Sequence, residues 1–176
     1  IFANVVLADE INRATPKTQA ALLEAMQEKQ VTVGNQTFEL ESPFFVLATQ
    51  NPIDQEGTYP LPEAQTDRFL LKILVGYPSP QDELTIVNQL TSGKEMPVIQ
   101  TLLGKNSILL LQKLTKQVPI ADDIKKRAID LVMLTRTRKD IIEYGASPRA
   151  SIGLIMAAKA RALIQGRKFV SAADID

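Results

Sequence analysis

Histidine and cysteine are both missing from this 176-residue sequence, and their absence narrows its chemistry before any motif is read. Without imidazole there is no histidine general base, no Ser-His-Asp or Cys-His nucleophile and no histidine-bearing metal site. Without thiols there are no disulfides, thiolate zinc sites or iron–sulfur clusters. The sequence also lacks a signal-peptide pattern and any apolar run of about 18 residues, which together with the missing cysteine points to the cytoplasm and excludes a membrane span. Charge of one sign is not in excess either. The 20 Lys and Arg balance the 20 Asp and Glu, so no global positive field recruits nucleic acid or an anionic membrane, and nucleic acid is not expected as a partner. The chemistry that remains uses carboxylates, hydroxyls, amides, Lys and Arg, a set suited to phosphate and magnesium.

What is present divides into two compositional parts. With 45% hydrophobic and 23% charged residues the chain can bury a real core. Through residue 75 the pattern is α/β. Residues 3–8 read as a buried strand, and a helix runs from about Pro16 to Lys29, with Thr15 as its N-cap and Ala20, Leu23 and Met26 on its core face. Two further apolar strands, "FFVLAT" (44–49) and "FLLKILV" (69–75), complete this part. Between helix and strand, "VTVGNQTFEL" (31–40) alternates on both sides of Gly34-Asn35, the pattern of a β-hairpin in which both turn residues take positive φ. "VGYPSPQDE" (75–83) then marks a boundary, with Ser79 and Pro80 opening a helix. Everything beyond it reads as helical, near 81–91, 107–116, 122–138 and 148–165, and Ser171 with Asp174 resembles a capping box at one more helix start.

The candidate chemistry sits at strand ends. "VVLADEIN" (5–12) is an apolar run that closes on Asp9 and Glu10, and carboxylates are costly to bury without a cation or hydrogen bonds. Nucleotide hydrolases end a strand this way in a Walker B site, where the first acid holds Mg²⁺ or its water and the second activates the attacking water. Equally open from six residues is that the two acids cap the next helix or face solvent. "FFVLATQNP" carries Asn51 just past its strand, and in open α/β sheets ligands bind outside the carboxyl ends of the strands. The alternative is that Asn51-Pro52 starts a turn.

The stretches "VVLADEINRATPKTQAALLEAMQEKQVTVG", "FFVLATQNPIDQEGTYPLPEAQTDRFLLKILVGYPSPQDE" and "GASPRAS" together resemble the MoxR branch of the AAA+ ATPases, related to the magnesium-chelatase and minichromosome-maintenance ATPases. The resemblance covers nearly the whole chain. It implies the C-terminal part of a parallel-sheet P-loop core with a β-hairpin insertion (residues 1–77), followed by an all-α helical lid (78–176). It further implies that Asp9 and Glu10 form Walker B, with Asp9 the magnesium ligand and Glu10 catalytic. Asn51 becomes sensor 1, Arg68 the arginine finger and Arg149 sensor 2, so that Asp9, Asn51 and Arg149 bind nucleotide. The hairpin at 31–40 would face the pore of a ring.

One element of that family is missing. No G-x-x-x-x-G-K-[ST] motif occurs, and the Gly-Lys pairs at 93–94 and 104–105 lie outside any strand–loop–helix context. The expectation is a fragment of a larger ATPase, inactive by itself. The whole protein is expected to bind ATP and Mg²⁺, to assemble as a hexameric ring, and to remodel a partner carrying a von Willebrand factor A domain during metal or cofactor insertion or complex maturation. A metal-chelatase motor subunit shares the same motifs, and a non-enzymatic scaffold is the third possibility, disfavoured by the presence of all five residues.

Overall fold

The computed structural model describes residues 1–51, 57–93 and 97–176. Pro52, which would join Asn51 in a turn, and Lys94 of the first Gly-Lys pair lie outside the described residues. Strands β1 (Val5–Ala8) and β4 (Phe45–Ala48) pair in parallel, with Val5 opposite Phe45, Val6 opposite Val46, Leu7 opposite Leu47 and Ala8 opposite Ala48. A parallel pair needs a crossover. Helix α1 (Pro16–Glu28) and the hairpin of β2 (Gln30–Val33) and β3 (Gln36–Glu39) occupy it.

Local chemistry accounts for the start of α1. The Thr15 hydroxyl accepts the Thr18 amide at 3.4 Å, and Pro16 occupies the first helical position. The buried face is Gln19, Leu22, Leu23 and Ala25, whereas the expected Ala20 is exposed. The rotation follows from hydrogen bonding: Gln19 Nε2 donates to the Ile11 carbonyl at 3.1 Å and to the Tyr59 carbonyl at 2.8 Å, so a polar side chain can be taken inside. In the hairpin Val33 pairs with Gln36, leaving Gly34 and Asn35 as a two-residue loop. Only Gly34 takes positive φ, at 61°, and Asn35 does not, matching turns that place glycine first. Ala25, Val31 and Leu40 form a small core there with Phe44.

Two sequence expectations fail, each for want of a tertiary neighbour. A β1 buried on both faces was expected, yet Val5 and Leu7 are 62% and 64% exposed, and Phe45 and Leu47 beside them are exposed as well. Parallel sheets are stable when both faces are covered, and among the described residues nothing covers this one. The strand expected at 69–75 does not form at all: residues 69–70 lie in a bend, and residues 71–79 belong to no helix or sheet. An apolar segment becomes a strand only when its N–H and C=O groups find a ladder, and among the described residues this one has none.

The chain divides into two compact units, one of residues 1–70 with 105–176 and the other of 71–104. The boundary expected between residues 77 and 78 falls inside the second unit. That unit holds residues 71–79 and helix α3 (Pro80–Thr91), whose Ser79 cap accepts the Asp82 amide at 3.2 Å and donates to the Asp82 carboxylate at 2.6 Å. In the first unit α2 (Glu63–Thr66) is a single turn, and α4 (Lys105–Gln117), α5 (Asp122–Thr137) and α6 (Pro148–Ile164) pack around a core of Val118, Ala128, Ala158, Ala162, Val170 and Ile175. The three alanines are fully buried, which lets α6 approach its neighbours closely. Among the described residues no helix is long and apolar enough to cross a membrane.

The capping box at Ser171 and Asp174 is present, on a 3₁₀ turn (Ala172–Asp174). Asp174, 6% exposed, accepts the Ser171 amide at 2.8 Å and a two-pronged bond from Arg167 at 2.6 and 2.5 Å. The Arg167 guanidinium, then the Ser171 amide, hold its carboxyl well below the usual carboxylate range, with burial acting the other way. A depressed native pKa means the group stabilises the fold fully above its unfolded value of 3.8 and stops doing so as pH falls through the lower folded value. Asp174→Asn should therefore lower the melting temperature at neutral pH and flatten its decline below about pH 4. Parallel melting curves for the two proteins down to strongly acid pH would reject this ion pair as the anchor of the C-terminal turn.

Candidate functional site

The register of β1 and β4 aligns identical triplets, Val6-Leu7-Ala8 with Val46-Leu47-Ala48, so the residues that follow emerge side by side. Asp9 and Glu10 leave one strand, and Thr49 to Asn51 leave the other. The Thr49 hydroxyl lies 2.5 Å from Asp9 Oδ1 and 2.8 Å from the Glu10 amide. Thr49 also accepts the Ile11 amide through its carbonyl and donates its own amide to Ala8, each at 3.0 Å. Glu10 has φ 49° and ψ 52°, a left-handed conformation that costs a non-glycine residue roughly 1–2 kcal/mol. Its carboxylate pairs with Arg13 at 3.3 Å across an exposed turn, a contact worth little in water.

Asn51 is joined to the acids by a second link. Asn12, 9% exposed, donates from Nδ2 to the Asn51 carbonyl at 3.1 Å, and its own carbonyl accepts the Tyr59 amide at 2.6 Å. Asn12 Oδ1 is buried with no hydrogen-bond partner among the described residues. Asp9, Glu10 and Asn51 are thus brought into one cluster, in which Asp9 is exposed and the half-buried Glu10 takes the N-cap position of the Ile11–Arg13 turn without a side-chain capping bond.

Arg68 and Arg149 form another. The Arg68 amide bonds back to the Gln65 carbonyl just after α2, and its Nε is buried without a partner among the described residues. Arg149 lies in the first turn of α6, where the Ser147 hydroxyl accepts its amide at 3.1 Å. Both arginines line one small pocket with Met26 and Gln27. Asp67 ties them together. It accepts the Ser147 hydroxyl at 2.6 and 2.8 Å and Arg149 Nη1 at 3.0 Å. The Ser147 hydroxyl, and then Arg149 and the neighbouring Arg68 charge, hold the Asp67 carboxyl below its usual range, while partial burial opposes them. Among the described residues no hydrogen bond or ion pair joins either arginine to Asp9 or Glu10.

The start of α6 is set from behind. Arg136 Nε donates to the Ala146 carbonyl at 2.8 Å, and the Ala146 amide donates to Thr135 at 2.9 Å, so residues 145–147 lie flat on the end of α5. A Cβ on Gly145 would stand 2.7 Å from the Arg136 Cα, closer than any side chain tolerates. Thr49, Asn12 and Gly145 were not singled out from the sequence. The repeated Val-Leu-Ala triplet is a signal that could have found Thr49.

With this geometry in place, comparison with known proteins gives a consistent answer. Residues 1–71 match the profile described as the ATPase family associated with various cellular activities (AAA), and residues 133–176 match the AAA lid domain. The chain belongs to the AAA ATPases, with the parallel-sheet core and helical lid of that fold. Within them it is of MoxR type. It is 45% identical to the chaperone MoxR1 of Mycobacterium tuberculosis over 183 residues, 99% of this chain and 48% of that protein. It is 47% identical to the uncharacterized protein YeaC of Bacillus subtilis over 175 residues, 99% of this chain and 54% of that protein. A crystal structure from Cytophaga hutchinsonii assigned as an ATPase superposes with a TM-score of 0.90 at 44% identity, covering 99% of this chain and 55% of that one. The chain spans about half the length of these relatives.

AAA nucleotide sites hold Mg²⁺ with the nucleotide, and the donors present fit that demand. Among the described residues no group of three or more Asp, Glu, His or Cys could cage a metal. Magnesium needs no such cage, because it keeps waters and substrate phosphates around one or two carboxylates. Asp9 offers one carboxylate whose Oδ1 is occupied by Thr49 and whose Oδ2 has no hydrogen bond among the described residues.

Gly145→Ala should destabilise the protein by about 1–3 kcal/mol, the usual cost of forcing extra volume against backbone, read as a lower urea midpoint at unchanged slope. A midpoint equal to wild type would mean that the strap over α5 yields freely and does not set the start of α6.

Proposed function

We propose that the chain carries the hydrolytic half of an ATP-driven ring motor of MoxR type, which remodels a partner protein. The observation that carries the reading is the tip of the β1–β4 pair, where Asp9 and Glu10 are held side by side and tied to the Asn51 strand. Mg²⁺, held at Asp9, would neutralise phosphate charge. Glu10 takes a proton from the water that attacks the terminal phosphorus, as the bond from that phosphorus to the leaving ADP oxygen breaks. The Asn51 amide orients that water or the phosphate without adding charge. The phosphate-cradling P-loop has no counterpart in these 176 residues, so this chain by itself is expected to be inactive and a P-loop segment must be joined to it.

Arg68 and Arg149 serve a different nucleotide, which for Arg149 revises the expectation that it joins Asp9 and Asn51 at one nucleotide and rests on its sharing a pocket with Arg68. Two guanidinium groups lining one pocket, balanced by the single carboxylate of Asp67, make a site for the terminal phosphate of a neighbouring subunit. Hydrolysis then depends on assembly, as expected of a ring, in this reading a hexamer. The relative named as a chaperone supports remodelling of a client protein, and the resemblance to MoxR proteins supports a partner with a von Willebrand factor A domain and a role in metal or cofactor insertion or complex maturation.

With a P-loop segment joined, Glu10→Gln should retain ATP binding and lose about 10²–10⁴ in turnover, and Arg68→Ala should lose about 10³ or more with nucleotide affinity little changed. Mixing the two inactive variants under conditions where subunits exchange should restore part of the activity, since one supplies the acid and the other the arginine. Mixtures that stay inactive would place Arg68 within its own subunit's site, and full turnover in Glu10→Gln would remove the proposed general base.

A further inference from the structure

We infer that Thr49 is a positioning residue that aims both acids, and this rests on the reading of Asp9 and Glu10 as the hydrolytic pair. Four hydrogen bonds run from this one residue to four consecutive residues. Its amide donates to Ala8, its hydroxyl contacts Asp9 and Glu10, and its carbonyl accepts from Ile11. The two backbone bonds continue the parallel ladder and would survive any side chain. The two hydroxyl bonds concern only the acids.

Their geometry dictates direction. A hydroxyl has a single proton, and here its oxygen accepts the Glu10 amide, so the proton is left to point at Asp9 Oδ1. An ionised carboxylate can only accept, which makes that assignment self-consistent. With Oδ1 so occupied, the rotation of the Asp9 carboxylate is set and Oδ2 is presented as the remaining oxygen donor for a hard cation. The bond to the Glu10 amide fastens the backbone in its left-handed conformation, φ 49°, and so decides where the Glu10 side chain leaves the chain. Threonine suits the task better than serine, because branching at Cβ restricts χ1 and holds the hydroxyl between its two partners. Outer-shell hydroxyls that orient a ligating carboxylate typically carry a 10–100-fold effect on metal affinity or activity.

The test compares wild type with Thr49→Val, nearly isosteric but without the hydroxyl, and Thr49→Ser, which keeps it. In the 176-residue chain, Thr49→Val should speed hydrogen exchange of the Glu10 amide at least about tenfold, with Thr49→Ser close to wild type and melting temperatures alike, since the ladder bonds remain. With the P-loop segment joined, Thr49→Val should raise the Mn²⁺ concentration for half-saturation in the presence of a non-hydrolysable ATP analogue by about tenfold or more, followed by electron paramagnetic resonance, and lower kcat by about 10–100-fold, with KM for ATP little changed. Thr49→Ser should recover most of both. An active wild type whose Thr49→Val form keeps the same metal half-saturation and kcat overturns the inference and leaves the ATPase reading standing. A wild type that neither binds the analogue with Mn²⁺ nor hydrolyses ATP overturns the reading itself, and with it the catalytic meaning of Thr49.

Discussion

Four residue pairs in parallel register, from Val5 with Phe45 to Ala8 with Ala48, place every group of the candidate site that can act on water or metal. A shift of one residue in that register would turn the pleat over and set Thr49 away from Asp9. The ladder alone does not complete the tip, however. The Thr49 hydroxyl and the Asn12 amide extend it by side-chain bonds past the last strand pair, and Gln19 braces the same loop from α1 by donating to Ile11 and Tyr59. The left-handed Glu10 is tolerated because these bonds surround it, which is the usual circumstance in which local strain persists.

The arginine cluster is organised on a different principle. Two like charges lining one small pocket repel, and the arrangement holds because Asp67 sits between the end of α2 and the start of α6, bonded to Ser147 and Arg149 and electrostatically coupled to Arg68. Ser147 acts twice, capping α6 with its oxygen and donating its proton to Asp67. The close approach of Gly145 to Arg136 and the contact of the Leu70 side chain with Gly153 then hold α6 against the rest of the unit.

Much of this was legible beforehand. Helix starts at Thr15, Ser79, Ser147 and Ser171 are local events, decided by a hydroxyl and the next three residues, and each is found where the sequence places it. The hairpin around Gly34 is likewise local, and only the share of Asn35 in the turn was misjudged. The face of α1 was off by one position because the pattern of apolar residues carries no information about a buried glutamine that finds two distant carbonyls.

By itself the sequence determined the inventory: strand, acid pair, capped helices, two arginines, and a chemistry stripped of imidazole and thiol. These follow from side-chain type and short-range spacing, which do not depend on what the chain packs against. Only the tertiary structure decided the partnerships. Thr49 with Asp9, Asn12 with Asn51 and Asp67 with Arg149 join residues 39 to 82 positions apart, and the failure of residues 71–79 to enter a sheet turns on the absence of a ladder partner among the described residues. Strand pairing and burial are properties of pairs of segments, so an apolar run such as Phe69 to Val75 states what it would favour, while its neighbours decide whether it is realised.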